Sequence, residues 1–257
     1  MALTSQSITA TSGQMRTSRV YVENELSVGA DITLDKAASH YLRHVLRLKT
    51  GAAVVLFNGS DGRDYDCIID VDGKQARISI ESSASPDTES TLHSEIIQGL
   101  SRSDHNDWTI QKTTELGANR IILFNAERTQ NHLRPARLKK KLAHWQAIAI
   151  SACEQCGRAV IPAISFYPDL EQAMEACDSD CRLLLDFDGQ KFDHPLQSNS
   201  AKGISILLGP EGGLTEAEIS RAKNGGFKSV SLGSRILRVE TAVVVALSIA
   251  QSNIGDI

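Results

Sequence analysis

From residue 92 onward, short apolar runs alternate with stretches of helical periodicity. A chain patterned that way is expected to form an α/β domain, a mainly parallel sheet covered by helices. Runs at 96–100, 120–124, 183–187, 204–208 and 229–232 read as strands. Helices are expected to end near Gly117, to occupy about 135–154, to follow Thr215 and to close the chain. The 135–154 helix is the clearest, because Leu138, Leu142, Trp145, Ile148, Ala149 and Ala152 share one stripe while Lys139, Lys140 and Lys141 mostly face elsewhere. Thr215 with Glu218 reads as a capping box, and Gly225-Gly226 as the stop of that helix.

The N-terminal part has a different rhythm. Between residues 20 and 81, β-branched runs are separated by Asn58-Gly59, Asp61-Gly62 and Asp72-Gly73, the spacing of a small antiparallel barrel. One helix interrupts it, with Ala38, Tyr41, Leu42, Val45 and Leu46 on an apolar stripe and Arg43, His44 and Arg47 outside it. Residues 82–91 are small and polar with one proline, which reads as a linker, and residues 1–14 read as a disordered extension. The expected division is therefore 1–14, a barrel at 15–85 and an α/β domain at 92–257.

Composition excludes several classes. Hydrophobic residues make up 41% and charged residues 23%, so most of the chain is expected to fold. No run approaches the roughly 18 apolar residues of a spanning helix, and the polar N-terminus lacks a secretory core, so a cytoplasmic protein with no membrane partner is expected. Five cysteines then read as free thiols. With 27 Lys and Arg against 31 Asp and Glu, the net charge of -4 argues mildly against nucleic acid, an objection that weakens where cations cluster.

Two glycine-containing loops carry the chemistry: 208–213 (Leu-Gly-Pro-Glu-Gly-Gly) and 232–238 (Leu-Gly-Ser-Arg-Ile-Leu-Arg). Each follows a strand at its carboxyl end, where open α/β sheets bind ligands, and glycine lets backbone approach a ligand closely. Neither loop is a P-loop or a Gly-x-Gly-x-x-Gly fingerprint, which disfavours an NTPase or a dinucleotide-dependent dehydrogenase. Spacing also points away from a metal. The Cys153/Cys156 and Cys177/Cys181 pairs lie in or beside helical segments and are read as packing, and His40 with His44 as surface.

At these loops the chain resembles the ribosomal RNA small-subunit methyltransferase E family. The likeness lies in 208–213 and 235–242 (Arg-Ile-Leu-Arg-Val-Glu-Thr-Ala), in 107–117 (Asp-Trp-Thr-Ile-Gln-Lys-Thr-Thr-Glu-Leu-Gly), in Glu127-Arg128 and in 152–158, where Cys153 and Cys156 replace the usual small residues. The resemblance implies a PUA-like β-barrel, a SPOUT domain with a C-terminal trefoil knot, a homodimer, and methylation of uridine N3 in 16S rRNA, with the assembled small subunit as substrate. It implies S-adenosylmethionine held by backbone around Leu185, around Leu208, Gly209, Pro210, Glu211, Gly212 and Gly213, and around Leu232, Gly233, Ser234, Ile236 and Leu237. Arg102, Lys112, Arg128 and Arg158 match family positions and are expected at RNA or the dimer partner, and Arg16, Arg43 and Arg47 would extend an RNA surface over the barrel.

Alkylating N3 of a uridine requires loss of its proton, so an acceptor or strong stabilisation of the uridine anion is needed. Arg238 is the first candidate for that stabilisation. Glu240 would orient Arg238 or assist proton removal, and Thr241 would cap the last helix or touch the site. A SPOUT ribose 2'-O-methyltransferase and a non-catalytic RNA-binding protein of ribosome assembly are the two other readings.

Overall fold

The structure is a computed structural model that describes residues 17–71, 75–192 and 203–257. Residues 1–14, Arg16 and the Asp72-Gly73 turn lie outside the described residues. The chain divides into two compact units, residues up to 57 with 65–83, and 58–64 with 84–257.

The first unit is built on a five-stranded sheet in the order β1-β3-β4-β5-β2, with β1 at Arg19–Tyr21, β2 at Asp31–Thr33, β3 at Ala53–Phe57, β4 at Asp64–Asp70 and β5 at Arg77–Ala84. Alternation decides the faces: Tyr65, Cys67 and Ile69 of β4 are buried together with Ile78 and Ile80 of β5, while Asp66 and Ile68 face out. The sheet is not wholly antiparallel as the turns suggested, because β1 runs parallel to β3. The long connection between them, carrying β2 and a helix, is what a parallel pairing needs.

That helix also departs from its apolar stripe. Helix α1 (Lys36–His40), capped by the Asp35 side chain, widens into one π-turn at Tyr41–Val45, where Leu46 N–H reaches the Tyr41 carbonyl five residues back. Leu42 stays fully buried, but the wider turn carries Val45 out to 59% exposure.

The second unit holds a six-stranded sheet in the order β11-β9-β10-β6-β7-β8. Its strands are β6 (Ser94–Gly99), β7 (Arg120–Phe124), β8 (Ala163–Tyr167), β9 (Cys181–Lys191), β10 (Ile204–Leu208) and β11 (Lys228–Ser231). All its neighbouring strands pair in parallel. The central β6 and β10 are buried at every residue, as a sheet covered on both faces requires. Helices α2 (Ser103–Glu115), α3 (Pro135–Cys156) and α6 (Val239–Ile254) cover one face, and α4 (Leu170–Glu175) and α5 (Glu216–Asn224) the other.

Local chemistry explains the helix ends. Thr215 and Glu218 close both bonds of the capping box, Gly225 ends α5, and left-handed Gly157 ends α3. On α3, Trp145, Ala149, Ala152 and Cys153 form the buried stripe. Two elements had no clear sequence signal: β8, which is a half-buried edge strand, and α4, whose six residues are too few to show a period.

Residues 82–91 are not a free linker. Strand β5 runs on to Ala84, and the polar residues beyond it bond within the second unit: Thr88 Oγ1 to the Gly157 carbonyl, Glu89 to Arg158, Ser90 Oγ to Gln251 Oε1. Strand β9 has its own irregularity. Leu184 pairs with Ser229, but the next β11 residue, Val230, pairs with Gln190, so 185–189 bulge out of the ladder. Gly189 makes the return possible, since a Cβ there would lie 2.6 Å from the Val230 nitrogen.

Candidate active site

The sheet order reverses beside β6, and at that point the carboxyl ends of β6, β9, β10 and β11 converge. The β10 loop turns sharply, with Gly213 N–H donating to the Pro210 carbonyl at 2.8 Å. Gly209 is required for that turn, because a Cβ would fall 2.8 Å from backbone atoms of Gly213 and Leu214. From beneath, Arg128 Nη1 donates to the carbonyls of Gly212 (3.2 Å) and Leu214 (3.3 Å).

Beside this loop lies a cleft of about 480 Å³ lined by Leu185, Leu208, Gly209, Pro210, Glu211 and Gly213, then by Leu237, Arg238 and Ala242 of the last loop and helix. A second cleft of about 170 Å³ shares Leu185, Ile236, Leu237 and Ala242 and adds Leu232 and Gly233. Ten of the twelve residues expected around a cofactor therefore line one cleft or the other. Gly212, packed on Arg128, and Ser234 line neither.

The polar end of the larger cleft contains a residue that sequence reading missed. His105, on the first turn of α2, is nearly buried, and its Nδ1 lies 2.9 Å from Glu211 Oε1 and 3.6 Å from Glu240 Oε2. Arg102 completes the group: its N–H donates to Glu211 Oε1 at 2.9 Å, and its Nη2 sits 3.4 Å from His105 Nε2. Burial raises the Glu211 carboxyl, but the N–H groups of Arg102 and of Glu211 itself, with the His105 ring, outweigh it and hold the group below the ordinary carboxylate range. The signal available in the sequence was positional, since α2 begins at the carboxyl end of β6, where the parallel fold gathers its loops.

The three expected catalytic residues separate. Arg238 is exposed, lines the larger cleft and occupies the N-cap of α6 without capping it through its side chain. Glu240 faces His105 instead of orienting Arg238, and its Oε2 is buried without a hydrogen-bond partner among the described residues. Thr241 is exposed in the first turn, neither capping the helix nor lining the cleft, because the cap position falls three residues earlier.

The expected RNA cations also sort themselves. Arg102 is 60% exposed at the cleft, and Arg47 is exposed on a left-handed backbone (φ 55°). Arg43 is half-buried. Lys112 is engaged with Glu115 at 2.8 Å. Arg158 is 2% exposed, and it binds Glu89 (2.8 Å) and the carbonyls of Thr114 and Ala118, so its guanidinium is engaged inside the unit. None of the five cysteines is in a disulfide. Cys177 is buried with Sγ donating to the Ala173 carbonyl, and burial together with Glu95 pushes it up to about 12.

Residues 88–251 match the RNA methyltransferase domain family, and residues 34–81 match the RNA methyltransferase PUA domain family. The chain is 30% identical over 238 residues to Ribosomal RNA small subunit methyltransferase E of Buchnera aphidicola subsp. Acyrthosiphon pisum, covering 93% of this chain and 94% of that protein. A Legionella pneumophila methyltransferase solved in complex with bound SAM has a TM-score of 0.87 at 34% identity, over 94% of this chain and 100% of that one. Ribosomal RNA small subunit methyltransferase E from Neisseria gonorrhoeae, bound to S-adenosyl methionine, has a TM-score of 0.84 at 34% identity, over 93% and 99% of the two chains. With both domains matched and such relatives aligned over nearly their whole length, the chain belongs to the ribosomal RNA small subunit methyltransferase E family of RNA methyltransferases.

Proposed function

We propose that this protein methylates N3 of a uridine in 16S rRNA, using S-adenosylmethionine, with the assembled small ribosomal subunit as substrate in the cytoplasm. The observation that carries the reading is the paired cleft at the strand ends, apolar and backbone-lined within and bordered by the exposed guanidinium groups of Arg102, Arg235 and Arg238. Its lining suits the cofactor. Leu185, Leu208, Leu237 and Ala242 offer apolar surface for a purine, and the glycine at 209 leaves backbone groups bare to recognise its edge.

Bound there, S-adenosylmethionine supplies an electrophilic methyl group. The protein must align the uridine with it and exclude water. N3 would lose its proton ahead of taking the methyl carbon from sulfur, which is left as a neutral thioether; until that bond forms the uracil is an anion. Arg238 stabilises the negative charge this leaves on the uracil carbonyls, and Glu240, buried beside the cleft-lining His105, would assist proton removal through that ring. Mass spectrometry of nucleosides from small-subunit rRNA should show N3-methyluridine in cells with the protein and its loss in cells without it. Loss of a ribose 2'-O-methyl mark would support the rival chemistry, and no change at all would support a non-catalytic role.

We further propose the closed PUA-like barrel, the trefoil knot and a homodimer. Support for the knot is the placement of β9 between β10 and β11, which makes the later chain cross past β9. A crystallographic trace through 181–242 is its test, and an unthreaded path is the outcome against it. Support for the dimer is exposed apolar surface on the second unit, with Trp108 at 40%, Phe187 at 61% and Ile236 at 90% exposure. Sedimentation at micromolar concentration should give a dimer, and a monomer would remove that part of the proposal.

A further inference from the structure

A polar cleft of about 940 Å³, separate in its lining from those above, lies between the loop after β7 and the start of α3. Gln130, Asn131, His132, Arg134 and Arg137 line it. The sequence around it is one-sided: residues 128–153 contain no Asp or Glu but carry Arg134, Arg137, Lys139 and Lys140, all exposed. None of these four side chains has a hydrogen bond or ion pair within the described residues. A merely solvated helix face normally interleaves acids one turn away, and here there are none.

The surface is held in place before any ligand arrives. Asn125 clamps Leu133 through both its amide atoms (2.9 and 3.2 Å), and Thr129 Oγ1 donates to the Leu100 carbonyl. It is also continuous with the methyl-transfer cleft. Lys141, one residue beyond the run, donates from Nζ to Ser103 Oγ at 2.6 Å, and Ser103 adjoins Arg102 at the cleft.

From this placement we propose that the Arg134–Lys140 face is a phosphate-backbone track, which carries RNA flanking the reacting nucleotide toward the cleft. The inference rests on the RNA methyltransferase reading above and adds a surface that reading does not assign. Cations and side-chain amides fit phosphate oxygens. An acidic protein partner would call for an apolar centre, and the large exposed apolar side chains of this unit lie elsewhere, at Trp108, Phe187 and Ile236.

The test uses the full-length protein with R134A/R137A and K139A/K140A variants, binding purified small ribosomal subunits across a salt series. Each pair should lower affinity by about tenfold or more at 0.1 M salt and flatten the slope of log K against log salt by roughly 1.4 to 1.8, about 0.7 to 0.9 per lost phosphate contact. S-adenosylmethionine binding by calorimetry should stay at the wild-type value, which controls for folding. Unchanged affinity and slope in both variants would overturn the track and leave the face to solvent or to a protein partner. If the variants lose the slope but the wild type places no methyl group on the subunit, the proposed function fails while the track stands. A wild type that binds no subunits overturns both.

Discussion

Replacing Arg238 with alanine is expected to slow single-turnover methylation of small subunits by roughly 10² to 10³, the usual consequence of losing a preorganised donor at a developing anion. Three observations isolate the residue for that role. It lines the larger cleft, it is exposed, and Glu240, two residues further along, is directed at His105. Among the described residues its side chain makes no hydrogen bond or ion pair that would confuse the result. As a cation at the N-terminus of α6, where the helix dipole is positive, it is badly placed for stability, and its side chain makes no capping bond. Thermal stability and cofactor affinity should therefore hardly move. Arg238→Lys should restore part of the rate, because an ammonium keeps the charge but not the planar fork of donors. A folded Arg238→Ala protein with the wild-type rate would rule the assignment out.

The largest effect on stability is expected far from the cleft, at Glu95. This carboxylate is fully buried at the start of β6, and its Oε2 accepts from Ser205 Oγ (2.6 Å), Ser179 Oγ (2.9 Å) and the backbone of Asp178 and Ser179 (3.2 Å each). Oε1 accepts from Arg120 at 2.5 Å. Glu95→Ala would strand those donors beside a half-buried guanidinium, and removing one partner of a buried charge network costs about 3 to 5 kcal/mol. Urea unfolding at neutral pH should show that loss.

Acid supplies a second readout. Burial pushes the Glu95 carboxyl up, but hydrogen bonds from Ser205 and Ser179 and the charge of Arg120 prevail and hold it below its ordinary value. A carboxyl depressed in the folded state contributes stability above its unfolded value, and that stability is lost as pH falls through the folded one. The wild type should therefore lose stability on acidification below the ordinary carboxylate range more steeply than Glu95→Gln. Parallel acid curves for the two proteins would count against this network as the depressed group.

What was legible in the sequence was what is local. Strand runs, the capping box at Thr215 and the glycine loop at 208–213 announce themselves within a few residues, because turn geometry and helix period are short-range constraints. Arg158 shows the opposite case. Its partner Glu89 lies 69 residues away in a segment that looked like a linker, so nothing near either residue signals that the pair is internal. His105 and Glu211 are 106 residues apart and meet only because β6 and β10 are neighbours. The parallel β1–β3 pair escaped notice for the same reason, since a turn pattern describes hairpins and not strands that skip over one another.

The broken ladder between β9 and β11 bears on when the site comes into being. Residues 185–189 leave the sheet only where β11 pairs on either side of them, and the same stretch that follows β11 supplies Ile236, Leu237, Arg238 and Ala242 to the clefts. Translation produces that stretch only after β6 to β10. A nascent chain that has reached residue 227 carries β6 to β10 and the whole glycine loop, yet it lacks one wall of the cleft. If the clefts hold the cofactor as proposed, its capture is confined to chains whose synthesis has passed residue 242.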